Sequence, residues 1–132
     1  GQIGCLQTKI AEWAILREAQ SVEADITLEG LFARYDEKVD WAVKLIDSVV
    51  DYISISINLL ANTYSPEMIL LCGSMIQQNK KLRELIEKNY RRHLNDYIKN
   101  SFQLKFESFG RDGHIIGGSI IAYQRYIDEV IK

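Results

Sequence analysis

The longest apolar pattern in the chain covers residues 40–64 and predicts a central helix. Its apolar side chains recur at steps of three and four residues, the spacing that gathers side chains on one face of an α-helix. Further apolar residues widen this face until little of the circumference remains polar, which is typical of a buried helix. Proline cannot continue a helical hydrogen-bond ladder, so Ser65 and Pro66 should end it.

Two shorter helices are predicted ahead of the central one. Residues 5–20 carry apolar side chains with helical spacing on one face. Thr27 then precedes a second apolar face, and its hydroxyl is suited to cap the first turn of a short helix. The inward side of that helix would carry Leu28, Leu31, Phe32 and Tyr35.

The second half of the chain alternates strands and helices. Residues 68–72 are apolar at every position, as in a strand buried on both faces of a parallel sheet. Residues 79–97 predict a basic amphipathic helix, residues 103–108 alternate like a second strand, and residues 114–131 predict a closing helix. A strand, a crossover helix and a second strand favour parallel pairing. The predicted fold class is helix-rich α/β with a small parallel sheet, in one domain over residues 1–132.

Composition narrows the classes of protein to which the chain can belong. It has 132 residues, of which 47% are hydrophobic and 26% charged, enough for one core. The net charge of −2 lacks the basic excess of a dedicated nucleic-acid-binding domain. No apolar run reaches the roughly 18–20 residues of a membrane span, and no secretory pattern is present, so we expect no membrane partner and a cytoplasmic location. Because the first residue is glycine, we expect a piece of a longer protein.

Two strands alone make a poor sheet, so further strands are expected from a parent chain or another subunit. An exposed sheet edge and a long apolar helix are both surfaces through which proteins associate. The sequence therefore predicts self-association of this segment, and a homo-oligomer for the parent protein.

The two cysteines lie far apart and invite different interpretations. Cys72 is inside an apolar run, which favours a small buried hydrophobic residue. Glycines surround Cys5, as in metal knuckles, but zinc needs four ligands, so a cysteine beside a turn is the favoured interpretation. A disulfide between the two remains open at this point.

Small residues after the first strand form a candidate ligand site. Gly73 and Ser74 stand at the carboxyl end of that strand, where ligands bind in open α/β folds. Glycine also lets a ligand come close to the backbone. The alternative is that the glycine serves turn geometry alone.

Two other features of the second half are ambiguous. Gly117 and Gly118 each cost about 0.5–1 kcal/mol inside a helix, which indicates tight packing on the sheet, or a ligand or partner lobe close by. The basic residues of the helix over 79–97 are interleaved with Glu84 and Glu87, which favours a solvated face over a nucleic-acid contact. No phosphate loop and no nucleophile–base pair can be assembled, so no catalytic residue is predicted.

Four motifs in order resemble the C-terminal part of the ROK family, which is named for repressors, open reading frames and kinases. Residues 1–7 (GQIGCLQ) resemble the second half of its zinc motif, and residues 28–32 (LEGLF) continue the match. Residues 65–73 (SPEMILLCG) are similar to its Asn-Pro-Glu strand and turn, and residues 110–118 (GRDGHIIGG) to its closing helix start. The resemblance implies an actin-like, ribonuclease H-like lobe of the sugar-kinase superfamily.

The resemblance also implies roles for individual residues. Cys5 would be the last of four zinc ligands whose other members precede Gly1, so the segment itself would hold no cofactor and zinc would belong to the parent protein. Gln7 stands where the family's kinases have a glutamate that contacts the sugar, and Gly73 with Ser74 would line the nucleotide side of the cleft. The phosphate loop and catalytic aspartate lie in the family's N-terminal region, so the segment itself is not expected to catalyse phosphoryl transfer.

From this resemblance we expect an effector-sensing and oligomerisation segment of a sugar-responsive ROK transcriptional regulator. Operator DNA would be bound only through an N-terminal winged-helix domain outside this chain. The alternative is the C-terminal lobe of an ATP-dependent ROK sugar kinase of the glucokinase or fructokinase type. Gln7, which lacks the charge of glutamate, and the bulky turn at residues 72–75 favour the regulator.

Overall fold

A computed structural model of the chain describes residues 4–107 and 113–130. The order of elements matches the predicted helix-rich α/β arrangement, with one small sheet among the described residues. The helices are α1 (Gln7–Ile10), α2 (Glu12–Gln20), α3 (Leu28–Asp36), α4 (Asp40–Tyr64), α5 (Ser74–Gln78), α6 (Lys80–Asn89) and α7 (Gly113–Val130). The strands are β1 (Met68–Leu71) and β2 (Gln103–Phe106), and a 3₁₀ helix covers Tyr90–His93.

The core is built around α4, whose predicted bounds are confirmed. Helix α4 contacts α1, α2, α3, α6 and the 3₁₀ helix. Its buried face consists of Ala42, Leu45, Ile46, Val49, Val50, Ile53, Ser54, Ile57 and Ala61. Each large aliphatic side chain buried there stabilises the fold by about 1.5–3 kcal/mol. Ser65, in the left-handed region at φ 45°, ends the helix just before Pro66.

The N-terminal helices follow the prediction with one correction. The expected single helix over residues 5–20 is divided at Ala11, whose ψ of 142° is extended and separates α1 from α2. The predicted cap of α3 is confirmed, because the Gly30 amide donates a hydrogen bond to Thr27 Oγ1 at 3.1 Å. This bond satisfies one of the backbone donors that a helix start leaves without a partner.

The predicted parallel sheet is confirmed, but its burial is not. β1 pairs with β2 in parallel, in a register that runs from Met68 opposite Gln103 to Leu71 opposite Phe106. The expectation that β1 is buried on both faces is wrong for the described chain, because Met68 and Leu70 are 47% and 48% exposed. Only Ile69 is buried, since the core lies against one face of the sheet.

Two helical segments between the strands also differ from the prediction. The five-residue helix α5 was not predicted, and it begins directly after β1. The helix expected over residues 79–97 ends as α6 at Asn89 and tightens into the 3₁₀ helix. Asn79 starts α6 by accepting a hydrogen bond on its side-chain oxygen from the Leu82 amide at 3.0 Å.

The closing helix α7 has the expected extent within the described residues, but its apolar side chains are exposed. Exposed large apolar residues on it are Ile115, Ile116, Ile120, Ile121, Tyr123, Tyr126 and Val130. Within the described part of the chain, no helix is at once long enough and apolar enough to cross a bilayer. The predicted motif residues 1–3 and 110–112 and the predicted helix end at residue 131 lie outside the described residues.

Candidate functional site

A pocket of about 530 Å³ lies between α1, the second half of α4 and the turn that follows β1. This is within the usual size range of small-molecule sites. Three of the residues singled out in the sequence line it together, namely Gln7, Gly73 and Ser74. The other lining residues are Leu6, Ile10, Ala11, Glu12, Ile53, Ser56, Ile57, Leu60, Leu71, Cys72, Met75 and Ile76.

The turn at Gly73 depends on glycine for its backbone conformation. Its φ of 128° with ψ of 156° is a combination that L-amino acids with a Cβ rarely adopt. A Cβ placed on Gly73 would meet no atom within 4 Å, so the space above the backbone is open. Its carbonyl accepts a hydrogen bond from the Gln77 amide at 3.0 Å, which connects the turn to α5. The turn is thus held by a hydrogen bond to α5, while the space beside the Cα of Gly73 is open to a ligand.

Gln7 enters the pocket from α1, which packs on α4. The Lys9 ammonium lies 5.9 Å from the centroid of the Tyr52 ring, a cation–π contact between the same two helices. The Gln7 amide carries both a donor and an acceptor and no charge. The pocket therefore offers a neutral hydrogen-bonding group where an ionised carboxylate would give a stronger bond.

The lining of the pocket limits the chemistry of its ligand. Glu12 is the one charged residue among the described residues that line it, and no lysine, arginine or histidine is present there. A phosphate would therefore find no cationic partner in this part of the wall. A neutral, partly apolar group fits better.

Cys72 corrects a prediction, because it is exposed rather than buried. Its thiol donates to the Leu70 carbonyl at 3.9 Å. Partial burial of the thiol, together with the charge and hydrogen bond of Glu107, raises the pKa of Cys72. The thiol form is favoured, so Cys72 adds bulk rather than charge to the turn.

A second pocket of about 510 Å³ lies on the α7 side of the same turn. Its walls are Leu70, Cys72, Gly73, Glu107, Gly113, Ile116, Gly117 and Ile120. A Cβ on Gly117 or Gly118 would meet nothing within 4 Å, so helix-on-sheet packing does not account for this glycine pair in the described structure. The turn with Cys72 and Gly73 therefore separates two open spaces.

Cys5, the predicted metal residue, is exposed near the start of α1. The parts of the chain that the structure describes bring together no three His, Cys, Asp or Glu side chains that could hold a metal ion. One thiolate does not fit zinc, which takes four ligands in structural sites. The described residues thus do not supply a complete zinc site.

The basic face of α6 takes part in ion pairs, one of them with the interleaved Glu84 and one with another helix. Lys80 lies 3.7 Å from Glu84, and Lys81 lies 2.6 Å from Asp36 on α3. These pairs are exposed, which is typical of a solvated helix surface.

Sequence reasoning missed the floor of the first pocket. Met75 and Ile76 of α5 are buried beneath it, and Ser56 on α4 lies in its wall. The signal was present as an apolar pair directly after the glycine turn, but five residues are too few to show helical periodicity.

Comparison with known proteins gives consistent matches. The profile of the ROK family matches residues 1–125. A glucokinase of Halalkalibacterium halodurans is 23% identical over 140 residues, covering 95% of this chain and 42% of that protein. A xylose repressor of Bacillus spizizenii is 22% identical over 130 residues, covering 98% of this chain and 34% of that protein.

The fold has a counterpart among solved structures. A crystal structure of a ROK hexokinase from Thermus thermophilus matches with a TM-score of 0.79 and 21% sequence identity. The match covers 96% of this chain and 43% of that one. The chain therefore spans less than half the length of each of these three proteins.

Proposed function

This chain belongs to the ROK family, and from that premise we propose that it is the effector-sensing and oligomerisation segment of a sugar-responsive transcriptional regulator. Its fold is the helix-rich α/β fold of the ROK hexokinase lobe. In the proposed role, the segment contributes one wall of the sugar site. Operator DNA is bound by another part of the protein, since this segment carries a net charge of −2.

One observation carries the proposal. Gln7 and the Gly73–Ser74 turn, which are 66 residues apart in sequence, line the same pocket. The resemblance assigns this turn to the nucleotide side of a kinase cleft. In the regulator that we propose, the neutral amide on one side and the open backbone of the turn on the other suit the hydroxyl groups of an uncharged sugar. The apolar walls suit the C–H faces of the same ligand.

The choice of a regulator over a kinase rests on the same residues. In the ROK kinases that the sequence resembles, a glutamate stands at the position of Gln7, and the turn consists mainly of glycines. Here the turn contains Cys72, Ser74 and Met75. The match to a xylose repressor, at 22% identity, supports a regulator to the same degree as the match to a glucokinase, at 23%, supports a kinase.

The second candidate is a sugar kinase that uses ATP. The similarity to a glucokinase and the fold of a hexokinase favour it. Under this alternative, the second pocket, beside α7, would be the nucleotide side of the cleft. The two candidates differ in whether ATP is consumed.

The deciding experiment uses the whole protein. Isothermal titration with D-xylose, D-glucose and other neutral sugars should give saturable binding, and a coupled assay with the same sugars and ATP should give no turnover. The variant Gln7→Leu should weaken binding about tenfold, because one hydrogen bond to the bound sugar is lost. The matched control Gln124→Leu, the same change at an exposed position of α7 that lines neither pocket, should bind like the unsubstituted protein. Steady sugar phosphorylation would instead establish the kinase.

We also propose that the whole protein binds zinc through Cys5 and residues outside this chain. The cysteine lies in a sequence that resembles the family's zinc motif, which is what supports the proposal. Metal analysis of the purified protein should give one zinc per subunit, and Cys5→Ser should lower that content. Unchanged zinc in Cys5→Ser would contradict the assignment of Cys5.

A further inference from the structure

Arg83, near the start of α6, connects two helices beside the candidate site. Its Nη1 donates hydrogen bonds to the carbonyl oxygens of Ile76 at 2.9 Å and Gln77 at 2.6 Å. These carbonyls belong to the last turn of α5, where a helix leaves its acceptors without intrahelical partners. A guanidinium there also interacts favourably with the negative end of the helix dipole. Arg83 thus acts as the C-terminal cap of α5.

The cap is coupled to the glycine turn through one residue. The Gln77 amide donates to the Gly73 carbonyl at 3.0 Å, while the Gln77 carbonyl accepts from Arg83. Because α5 has five residues, it has little intrinsic stability and depends on contacts outside itself. The buried side chains of Met75 and Ile76 also anchor it. Loss of the Arg83 hydrogen bonds would therefore loosen α5 and the Gly73 carbonyl together.

We propose that Arg83 is a positioning residue, which holds α5 so that the Gly73–Ser74 turn keeps the geometry that accepts a ligand. Its effect on ligand affinity rests on the function proposed above. Its effect on the turn does not. The two effects therefore need separate measurements.

The first measurement is amide hydrogen exchange on the whole protein, followed by mass spectrometry of the peptide that covers residues 74–79. In Arg83→Met, exchange of the Gln77 amide should be about tenfold faster, because two hydrogen bonds from a charged donor are lost. Exchange in the middle of α4 should stay unchanged. Arg83→Lys should restore part of the protection, because its ammonium keeps a charged donor near the same carbonyls.

The matched control is Arg92→Met. Arg92 is exposed and makes no hydrogen bond or ion pair with the described residues, so its exchange pattern should equal that of the parent. Urea unfolding of each variant reports whether a change is global. Equal exchange at residue 77 in Arg83→Met and the parent would overturn the proposal.

The second measurement is binding of D-xylose and D-glucose. The Kd of whichever sugar binds should rise about tenfold in Arg83→Met and stay constant in Arg92→Met. Faster exchange with an unchanged Kd would overturn the ligand-positioning role. If neither these sugars nor the wider panel bind the parent protein, the proposed function fails and that role fails with it, while the exchange result still decides whether Arg83 holds the turn.

Discussion

The helices α4 and α7 are both long and rich in isoleucine, yet their surroundings are opposite. One face of α4 is enclosed by the helices around it, and Ile46 is only 1% exposed. Among the α7 side chains that the structure describes, none is buried, and Ile121 is 59% exposed. The comparison teaches that apolar periodicity marks a face that needs a partner, but not whether the same chain provides that partner.

The largest expected effect tests whether the two helices contribute differently to stability. Ile46→Ala should lower the free energy of unfolding by about 2–5 kcal/mol, because it leaves a cavity in the core. Ile121→Ala, the same change on α7, should stay within about 0.5 kcal/mol of the parent. Urea denaturation monitored by circular dichroism measures both. Equal losses would remove the distinction between the helices.

The next effect concerns what α7 does with its exposed face. The double variant Ile120→Gln/Ile121→Gln should weaken self-association of the 132-residue chain about tenfold, because apolar surface is removed from the contact. Ser119→Gln, a neighbouring exposed position that is already polar, serves as the control. Sedimentation velocity over a range of concentrations measures the association. If the unsubstituted 132-residue chain stays monomeric at every concentration, the role of α7 in self-association is refuted.

A smaller effect concerns the N-terminal cap of α3, one of the helices packed on α4. Thr27→Ala removes the side-chain oxygen that caps α3 and should cost about 1 kcal/mol of stability. Thr63→Ala, at an exposed position on α4, should cost far less. The midpoints of urea unfolding give both values. A loss in Thr63→Ala as large as that in Thr27→Ala would show that the cap is not responsible.

The smallest effect concerns the exposed ion pair between Arg34 on α3 and Glu23 in the loop before it. Arg34 donates two hydrogen bonds to the Glu23 carboxylate, both at 3.0 Å, which lowers the pKa of Glu23. A carboxyl whose pKa is lowered by folding stabilises the folded state above its ordinary pKa of 4.5. That stability is lost as pH falls through the folded-state pKa.

Glu23→Gln should therefore slightly lower the unfolding midpoint at neutral pH and leave it unchanged in strong acid, where the parent has lost the same interaction. High salt should shrink the difference, because both side chains are partly exposed. Asp25→Asn, in the same loop, is the control. A difference that grows as pH falls would contradict the sign.

The sequence predicted the elements of the fold well where periodicity was long. The 25-residue pattern of α4 located both of its ends. At the C-terminal end, Pro66 also marks where the helical hydrogen-bond ladder must stop. The cap at Thr27 and the parallel pairing of the strands followed from local chemistry and connection length. The short helix α5 was beyond reach, because its five residues complete barely more than one turn and show no helical periodicity.

Burial was less predictable than element type. The run Met68–Leu71 is apolar throughout, which indicated two buried faces, but the described chain covers only the face with Ile69. Cys72 was expected inside for the same reason and is exposed. A pattern of side chains records what a sheet can bury, whereas the actual coverage depends on which segments lie over it.

In the candidate site too, a local feature could be predicted, whereas contacts between elements could not. Gly73 could be identified as a turn glycine, and its φ of 128° bears that out. The approach of Gln7 to that turn depends on the break at Ala11 and the packing of α1 on α4, neither of which has a local signal. The contact of Arg83 with α5 likewise depends on a helix that was not predicted.

The length of α4 has a mechanical consequence. At 1.5 Å per residue, its 25 residues form a rod about 37 Å long with no proline or glycine to bend it. The first half of the rod contacts α3, where the Tyr35 hydroxyl donates a hydrogen bond to Asp47 at 3.1 Å, while Ile57 and Leu60 in the second half line the pocket. Movement imposed at the pocket end must then be transmitted along the rod rather than absorbed within it. Spin labels placed at the two ends of α4 should keep a constant separation when sugar is added, and a changed separation would show that the rod flexes.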